Sequence, residues 1–124
     1  MNKHLKAEHR IIHHQPDNNQ RGYYGWPSLA RLNNSELVIG ASGFRNAHVC
    51  PWGRVVLFSS QDNGNTWSAP QVIHNSMIDD RDVGLLVLED GRLLVSWFTS
   101  DTRYYLERGN VSPSNAVNFR QSLA

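Results

Sequence analysis

Ser60-Gln61-Asp62-Asn63-Gly64-Asn65-Thr66-Trp67 is the stretch from which the fold is read. Its polar, glycine-centred middle breaks a strand, and the residues around it are of the kinds that tie a turn down. Asp62 is placed to accept hydrogen bonds from turn N–H groups, and Gly64 permits a positive φ with no Cβ penalty. Ser60 and Thr66 are spaced to fasten the turn to its strands, with Trp67 packing beneath it. The expectation is a clasped hairpin turn in which the Asp62 carboxylate is structural and not a catalytic acid.

Outward from the clasp, strand signals dominate. Arg54 to Ser60 is Val-rich and leads into the turn, and Gln71 to His74 returns from it. Upstream, Ser28 to Leu32 and Glu36 to Ala41 are apolar runs joined by Asn33, Asn34 and Ser35, which suit a tight hairpin. Glu8 to His14 is expected to be a further strand, followed by a polar loop to Gly22. Downstream the pattern restarts: Gly84 to Leu88, a turn at Glu89, Asp90 and Gly91, then Arg92 to Thr99. Laying Ser28 to Ser42 on Gly84 to Phe98 superposes Leu29 on Leu85, Leu32 on Leu88, Leu37 on Leu93 and Val38 on Leu94, at a constant offset of 56 positions (84 minus 28). A fixed period with about four strands per unit is expected of propeller blades. The predicted fold is therefore all-β, with about two four-stranded antiparallel units over 23–100. Sandwiches and barrels also use short, evenly spaced strands, and the Asp-box pattern that Ser60 to Trp67 fits tips the reading to propeller blades. Residues 1–22 form an N-terminal strand and loop, and 101–124 begin a further segment in which Tyr104, Tyr105 and Leu106 start a strand or a helix.

Composition narrows the function. The 124 residues include 40% hydrophobic and 19% charged side chains, a globular balance. Twelve Lys and Arg against 11 Asp and Glu leave a net charge of +1, so no basic field exists to collect nucleic acid or anionic lipid. The single cysteine, Cys50, excludes an intrachain disulfide. His4, His9, His13 and His14 have no metal-ligand spacing and are read as surface residues; neither metal nor cofactor is expected. Met1 to Gln15 lacks an apolar stretch of signal-peptide length and no later run is long enough to span a bilayer, so a soluble, non-exported chain is expected.

The clasp stretch fits the Asp-box pattern Ser-x-Asp-x-Gly-x-Thr-Trp at every defined position, and from about Tyr23 to Ser100 the chain resembles bacterial sialidases and other Asp-box, or BNR-repeat, propeller proteins. In that family the boxes lie away from the active-site face. Tyr23-Tyr24-Gly25-Trp26-Pro27-Ser28-Leu29 looks like the family's opening Tyr-Arg-Ile-Pro-Ser-Leu segment, whose Arg binds the sialic acid carboxylate; here that position is Gly25. Gly40-Ala41-Ser42-Gly43-Phe44-Arg45 resembles the segment carrying another active-site Arg, which makes Arg45 a substrate-binding candidate. The following loop, Asn46 to Gly53, has no carboxylate where the family has its acid/base Asp, leaving His48 as its only group able to move a proton near neutral pH. Ile78 to Gly84 corresponds to the place of an Asp that contacts the sugar, and Asp82 aligns with it best. Asp80, Arg81 and Asp82 are expected to hydrogen-bond sugar hydroxyls or to hold Arg45 in place. Tyr24 and Trp26, with Tyr23 and Trp52, are candidates to stack on a sugar ring or to pack between blades.

The resemblance implies the N-terminal part of an exo-acting glycoside hydrolase, inactive in isolation, because the family's nucleophilic Tyr, its Glu partner and the remaining Arg come from later blades. Two alternatives stay open: a related propeller enzyme on another glycan, including a uronate lyase with His48 as base, and a non-catalytic module binding glycan or protein. The expected partners are a carbohydrate and either further blades or other copies. Two blades cannot close a ring, and a face of several hundred Å² left in water forfeits on the order of 10 kcal/mol at ~25 cal/mol per Å².

Overall fold

A computed structural model describes residues 6–15 and 21–108. Six strands and one short helix follow in order: β1 (Tyr23–Arg31), β2 (Leu37–Arg45), β3 (Arg54–Ser60), β4 (Gln71–His74), β5 (Asp79–Val87), β6 (Leu93–Ser100) and α1 (Arg103–Glu107). The first four make an antiparallel sheet in sequence order, and β5 and β6 make a two-stranded antiparallel sheet. The chain is thus all-β with one complete four-stranded unit. The second unit has two strands among the described residues, where four were expected. The Tyr104 region resolves as helix, with Asp101 accepting from the Arg103 N–H at its start.

β2 and β3 are the central strands, covered on both faces, which is why they read as near-continuous apolar runs: Val55 and Val56 are both fully buried. One face of the sheet gathers Ile39, Ala41, Val56 and Phe58. Ile12, Tyr24, Phe44 and Trp67 pack on it. The expected strand at Glu8 to His14 is absent, and the reason lies in that packing. Residues 6–15 form no regular structure; Ile12 and His13 lie over the sheet face, with the His13 ring 5.0 Å from Tyr24 and 5.5 Å from Phe58, so the backbone is not beside an edge where it could pair. His13 is accordingly half-buried, whereas His9 and His14 are exposed.

On the opposite face, Val38, Gly40 and Ser42 receive β5. A Cβ built on Gly40 would lie 2.6 Å from Val83 Cγ1 and 3.2 Å from Leu85 Cδ2, so the second sheet rests directly on that backbone. Ser42 Oγ donates to the Asp80 carbonyl at 2.5 Å, and the Asp80 N–H donates to the Gly53 carbonyl at 3.2 Å.

The offset of 56 positions extends to the backbone. The pairs Ser28–Gly40, Leu29–Ile39, Ala30–Val38 and Arg31–Leu37 of β1–β2 recur as Gly84–Ser96, Leu85–Val95, Leu86–Leu94 and Val87–Leu93 of β5–β6. Both hairpins break register at the same place, between Gly25 and Ser28 and between Arg81 and Gly84, and each bulge holds one residue in the left-handed region, Trp26 (φ 52) and Asp82 (φ 56). The turns match as well. Ser35 (φ 71) and Gly91 (φ 84) are equivalent, and the bonds from Ser35 N to Leu32 O and from Gly91 N to Leu88 O are each 2.9 Å. No helix among the described residues is long and apolar enough to cross a membrane.

The clasp closes as its residue types require. Asp62 Oδ1 accepts from the Thr66 N–H at 2.8 Å and from Ser60 Oγ at 2.9 Å, and Oδ2 accepts from Thr66 Oγ1 at 2.6 Å. Ser60 Oγ also accepts from Gly64 N at 2.8 Å, Gly64 sits at φ 87, and the Trp67 indole donates to the Gly64 carbonyl at 3.1 Å. The Thr66 hydroxyl and N–H hold the Asp62 carboxyl down at about 2, against an ordinary 3.8. Folding therefore favours the ionised carboxylate: the stabilisation is fully present above 3.8 and is lost as the pH falls toward about 2. Thermal melts of Asp62→Ala are expected to lie below wild type at neutral pH, with the gap closing between pH 4 and pH 2, while a gap independent of pH would contradict the clasp geometry. Gly64→Ala is expected to cost roughly 1–3 kcal/mol in denaturant melts, because Ala resists the left-handed φ that the turn requires.

Candidate functional site

The residues singled out by sequence lie where the bulged starts of β1 and β5, the end of β2 and the 46–53 loop meet. The structure brings Trp26, Arg45, His48 and Arg81 into contact. The Arg45 and Arg81 guanidiniums lie over the Trp26 ring at 4.8 and 4.5 Å from its centroid, and the His48 ring approaches it edge-on at 5.1 Å. A bulky residue at positive φ is unusual, and such strain costs of order 1–3 kcal/mol, so the two cation–π contacts help to hold Trp26 there.

Arg45 plays a different role from the one expected of it. Its side chain is fully buried, and all three nitrogens are engaged. Nη1 donates to Asp79 Oδ1 and to Ser42 Oγ, both at 2.6 Å; Nη2 donates to Asp79 Oδ2 at 2.8 Å and to the His48 carbonyl at 2.6 Å; Nε reaches the Ala47 carbonyl at 3.4 Å. No N–H is left for a ligand. Arg45 instead forms a bidentate buried pair that joins β2, the 46–50 loop and β5. Its partner, Asp79, also accepts from the Cys50 N–H at 3.0 Å and was not singled out by sequence. Three aspartates within four positions offered no ground for choosing it, because the bulge at Asp82 breaks the alternation that would assign faces.

Asp80 is likewise internal: its carboxylate accepts from Ser76 N (2.7 Å), Ser76 Oγ (2.9 Å) and Thr99 Oγ1 (2.7 Å), so it braces the loop before β5 and is not presented to a sugar. Tyr24 belongs to the core on the other face, with its ring 5.6 Å from Phe44 and 6.0 Å from Phe58. Burial pushes its phenol pKa up, and its hydroxyl is enclosed with no partner among the described residues.

Two candidates, His48 and Asp82, remain at the surface, while Arg81 is buried against Trp26. His48 is exposed, and its Nε2 lies 3.4 Å from Arg81 Nη2. A guanidinium only donates, so this contact places the Nε2 lone pair toward Arg81. Arg81 is buried, with Nη1 3.7 Å from Asp79 Oδ2 and Nε enclosed without a partner among the described residues. Asp82 is exposed at the crest of the β5 bulge. The half-buried Trp52 lies nearby in sequence and carries Arg21 over its ring at 4.2 Å. Trp26, His48, Arg81 and Asp82 together offer an aromatic surface, an imidazole, a guanidinium and a carboxylate on adjoining backbone. Among the described residues no group of three His, Cys, Asp or Glu is arranged to hold a metal ion.

Comparison with known proteins finds no family model that matches the chain and no curated protein significantly similar to it. The geometry itself separates supporting from presenting residues. Asp79→Asn is expected to destabilise the fold by about 3–5 kcal/mol, since it strands a buried guanidinium. Asp82→Asn, exposed and of a type that tolerates positive φ, is expected to stay within about 0.5 kcal/mol of wild type. Urea melts of the two variants make the comparison, and equal destabilisation would refute the division of roles.

Proposed function

We propose that this chain contributes two blades of a sialidase-superfamily β-propeller and is part of an exo-acting glycoside hydrolase, in which Trp26, His48, Arg81 and Asp82 contact the sugar. The observation that carries the reading is the repeat of register, bulge and turn at 56-residue spacing together with the closed Asp-box clasp. A stacked unit of this kind places equivalent bulges side by side, and the bulges are where the exposed polar and aromatic side chains gather.

Trp26 supplies an apolar surface for a sugar ring, Asp82 accepts from hydroxyls and Arg81 donates. Hydrolysis in most glycosidases needs two carboxyl groups flanking the bond. Asp79 and Asp80 are saturated inside the fold, so Asp82 is the carboxylate this edge can present, and the remaining catalytic groups belong to further blades. A second reading is favoured by one observation: His48 is an exposed imidazole in a loop without a carboxylate, which suits proton abstraction from a uronate by a lyase once its Nε2 lone pair turns from Arg81 to the substrate.

The test is a panel of neutral, uronate-containing and sialylated oligosaccharides, followed by tryptophan fluorescence, reducing-sugar release and ultraviolet absorbance of unsaturated product. The chain alone is expected to bind without turnover, and Trp26→Ala to weaken binding about tenfold, equivalent to ~1.4 kcal/mol. Unsaturated product that vanishes in His48→Ala would select the lyase reading. No response to any glycan would overturn the assignment.

A further inference from the structure

The repeat specifies what the uncovered face of the second sheet is built to receive. On the first sheet, Ala30, Val38, Gly40 and Ser42 lie on the face covered by Val83 and Leu85 of β5. Adding 56 gives Leu86, Leu94, Ser96 and Phe98 on the corresponding face of β5–β6, where Leu86, Leu94 and Phe98 are 57%, 52% and 49% exposed. Subtracting 56 from Val83 and Leu85 gives Pro27 and Leu29 on the far side of β1, both exposed, with Leu29 at 62%. Among the described residues, each side thus presents one half of an interface already formed once inside the chain, with Ile12 and His13 lying over part of the β1 side and lining its cavity.

The two halves also fit at the position where the repeat changes size. Inside the chain, Ser42 Oγ lies 2.5 Å from the Asp80 carbonyl. The equivalent pair across two copies is Phe98 of one and Tyr24 of the other. Phe98 is far larger than Ser42, and next to Tyr24 is a cavity of about 390 Å³ lined by Pro27, Ile39 and Phe58 among others. Ser96, the counterpart of Gly40, keeps the point of closest approach small.

We propose that the β5–β6 face binds the β1 side of a second copy of this chain, head to tail, with Pro27 and Leu29 over Ser96 and Phe98 entering the cavity beside Tyr24. The two surfaces differ, so the contact is heterologous: each addition leaves a fresh pair of open faces, and growth stops only if the rotation closes a ring. This assembly does not depend on the glycan reading, and it places a second copy where the proposed function places a further blade.

Sedimentation velocity on the full chain across a concentration series tests it, with Leu29→Lys and Leu94→Lys as variants and circular dichroism to verify their fold. Wild type is expected to grow in mass with concentration, and each variant to remain monomeric. An equimolar mixture of the two is expected to form a 1:1 dimer and nothing larger, because one variant retains an intact β5–β6 face and the other an intact β1 side. If Leu94→Lys loses structure, Leu86→Lys takes its place. A monomeric wild type, a single variant that still associates like wild type, or a mixture that does not pair would each overturn the proposal.

Discussion

The buried pair of Arg45 and Asp79 is the contact on which the arrangement of the two sheets depends. Apolar packing of Val83 and Leu85 over Gly40 brings the sheets together, and hydrogen bonds of the Asp80 backbone to Ser42 and Gly53 fasten them. The bidentate guanidinium–carboxylate geometry fixes one position and one angle. Such pairs contribute little net stability once desolvation is counted, yet breaking one is costly. Its physical role here is to set position: the end of β2, the loop carrying His48 and the start of β5 converge because three backbone carbonyls, a hydroxyl and a carboxylate all meet one side chain.

This explains which features were legible in the sequence. The clasp, the hairpins and their common offset are local, and local chemistry specifies them: a glycine for positive φ, an aspartate for turn N–H groups, alternating apolar residues for a half-covered strand. Strands β3 and β4 fall at the bounds read from sequence, and the other four run longer than or shifted from theirs at the bulged ends. The bulges themselves could not be read, since Trp26 is among the last residues expected at positive φ. Without the bulge, the parity of β5 cannot be assigned, and so Asp79 could not be distinguished from Asp80 and Asp82 as the partner of Arg45. Tyr24 and Trp26, both candidates to stack on a sugar or to pack, are parted for the same reason: one inserted residue leaves Tyr24 in the core and Trp26, two positions on, at the edge. The N-terminal segment shows a different failure, because strand propensity in 8–14 says nothing about whether a free edge lies alongside.

Sequence and structure also part at the arginine. A guanidinium at the end of a strand beside a polar loop has the residue type of a ligand contact, and only the count of its occupied donors shows that it is internal. Arg81 is the contrasting case. It borrows Asp79 at longer range, keeps Nε without a partner among the described residues and lies over Trp26 and against His48, so it can rearrange at lower cost than Arg45.

Within the repeat, equivalent positions separate shape from chemistry. Where the hairpins pack, both units carry apolar or small side chains in the same register, as expected of surfaces that must stack. At the bulge the backbone is again the same, but Gly25 and Trp26 in one unit become Arg81 and Asp82 in the other. Packing cannot account for that exchange, because a glycine and an arginine fill very different volumes at one site, and neither can turn propensity, because tryptophan and aspartate share a left-handed φ that suits only the second. The strained backbone is kept in both units while its side chains differ, and two of the four exchanged residues, Trp26 and Arg81, meet at the edge where His48 also touches.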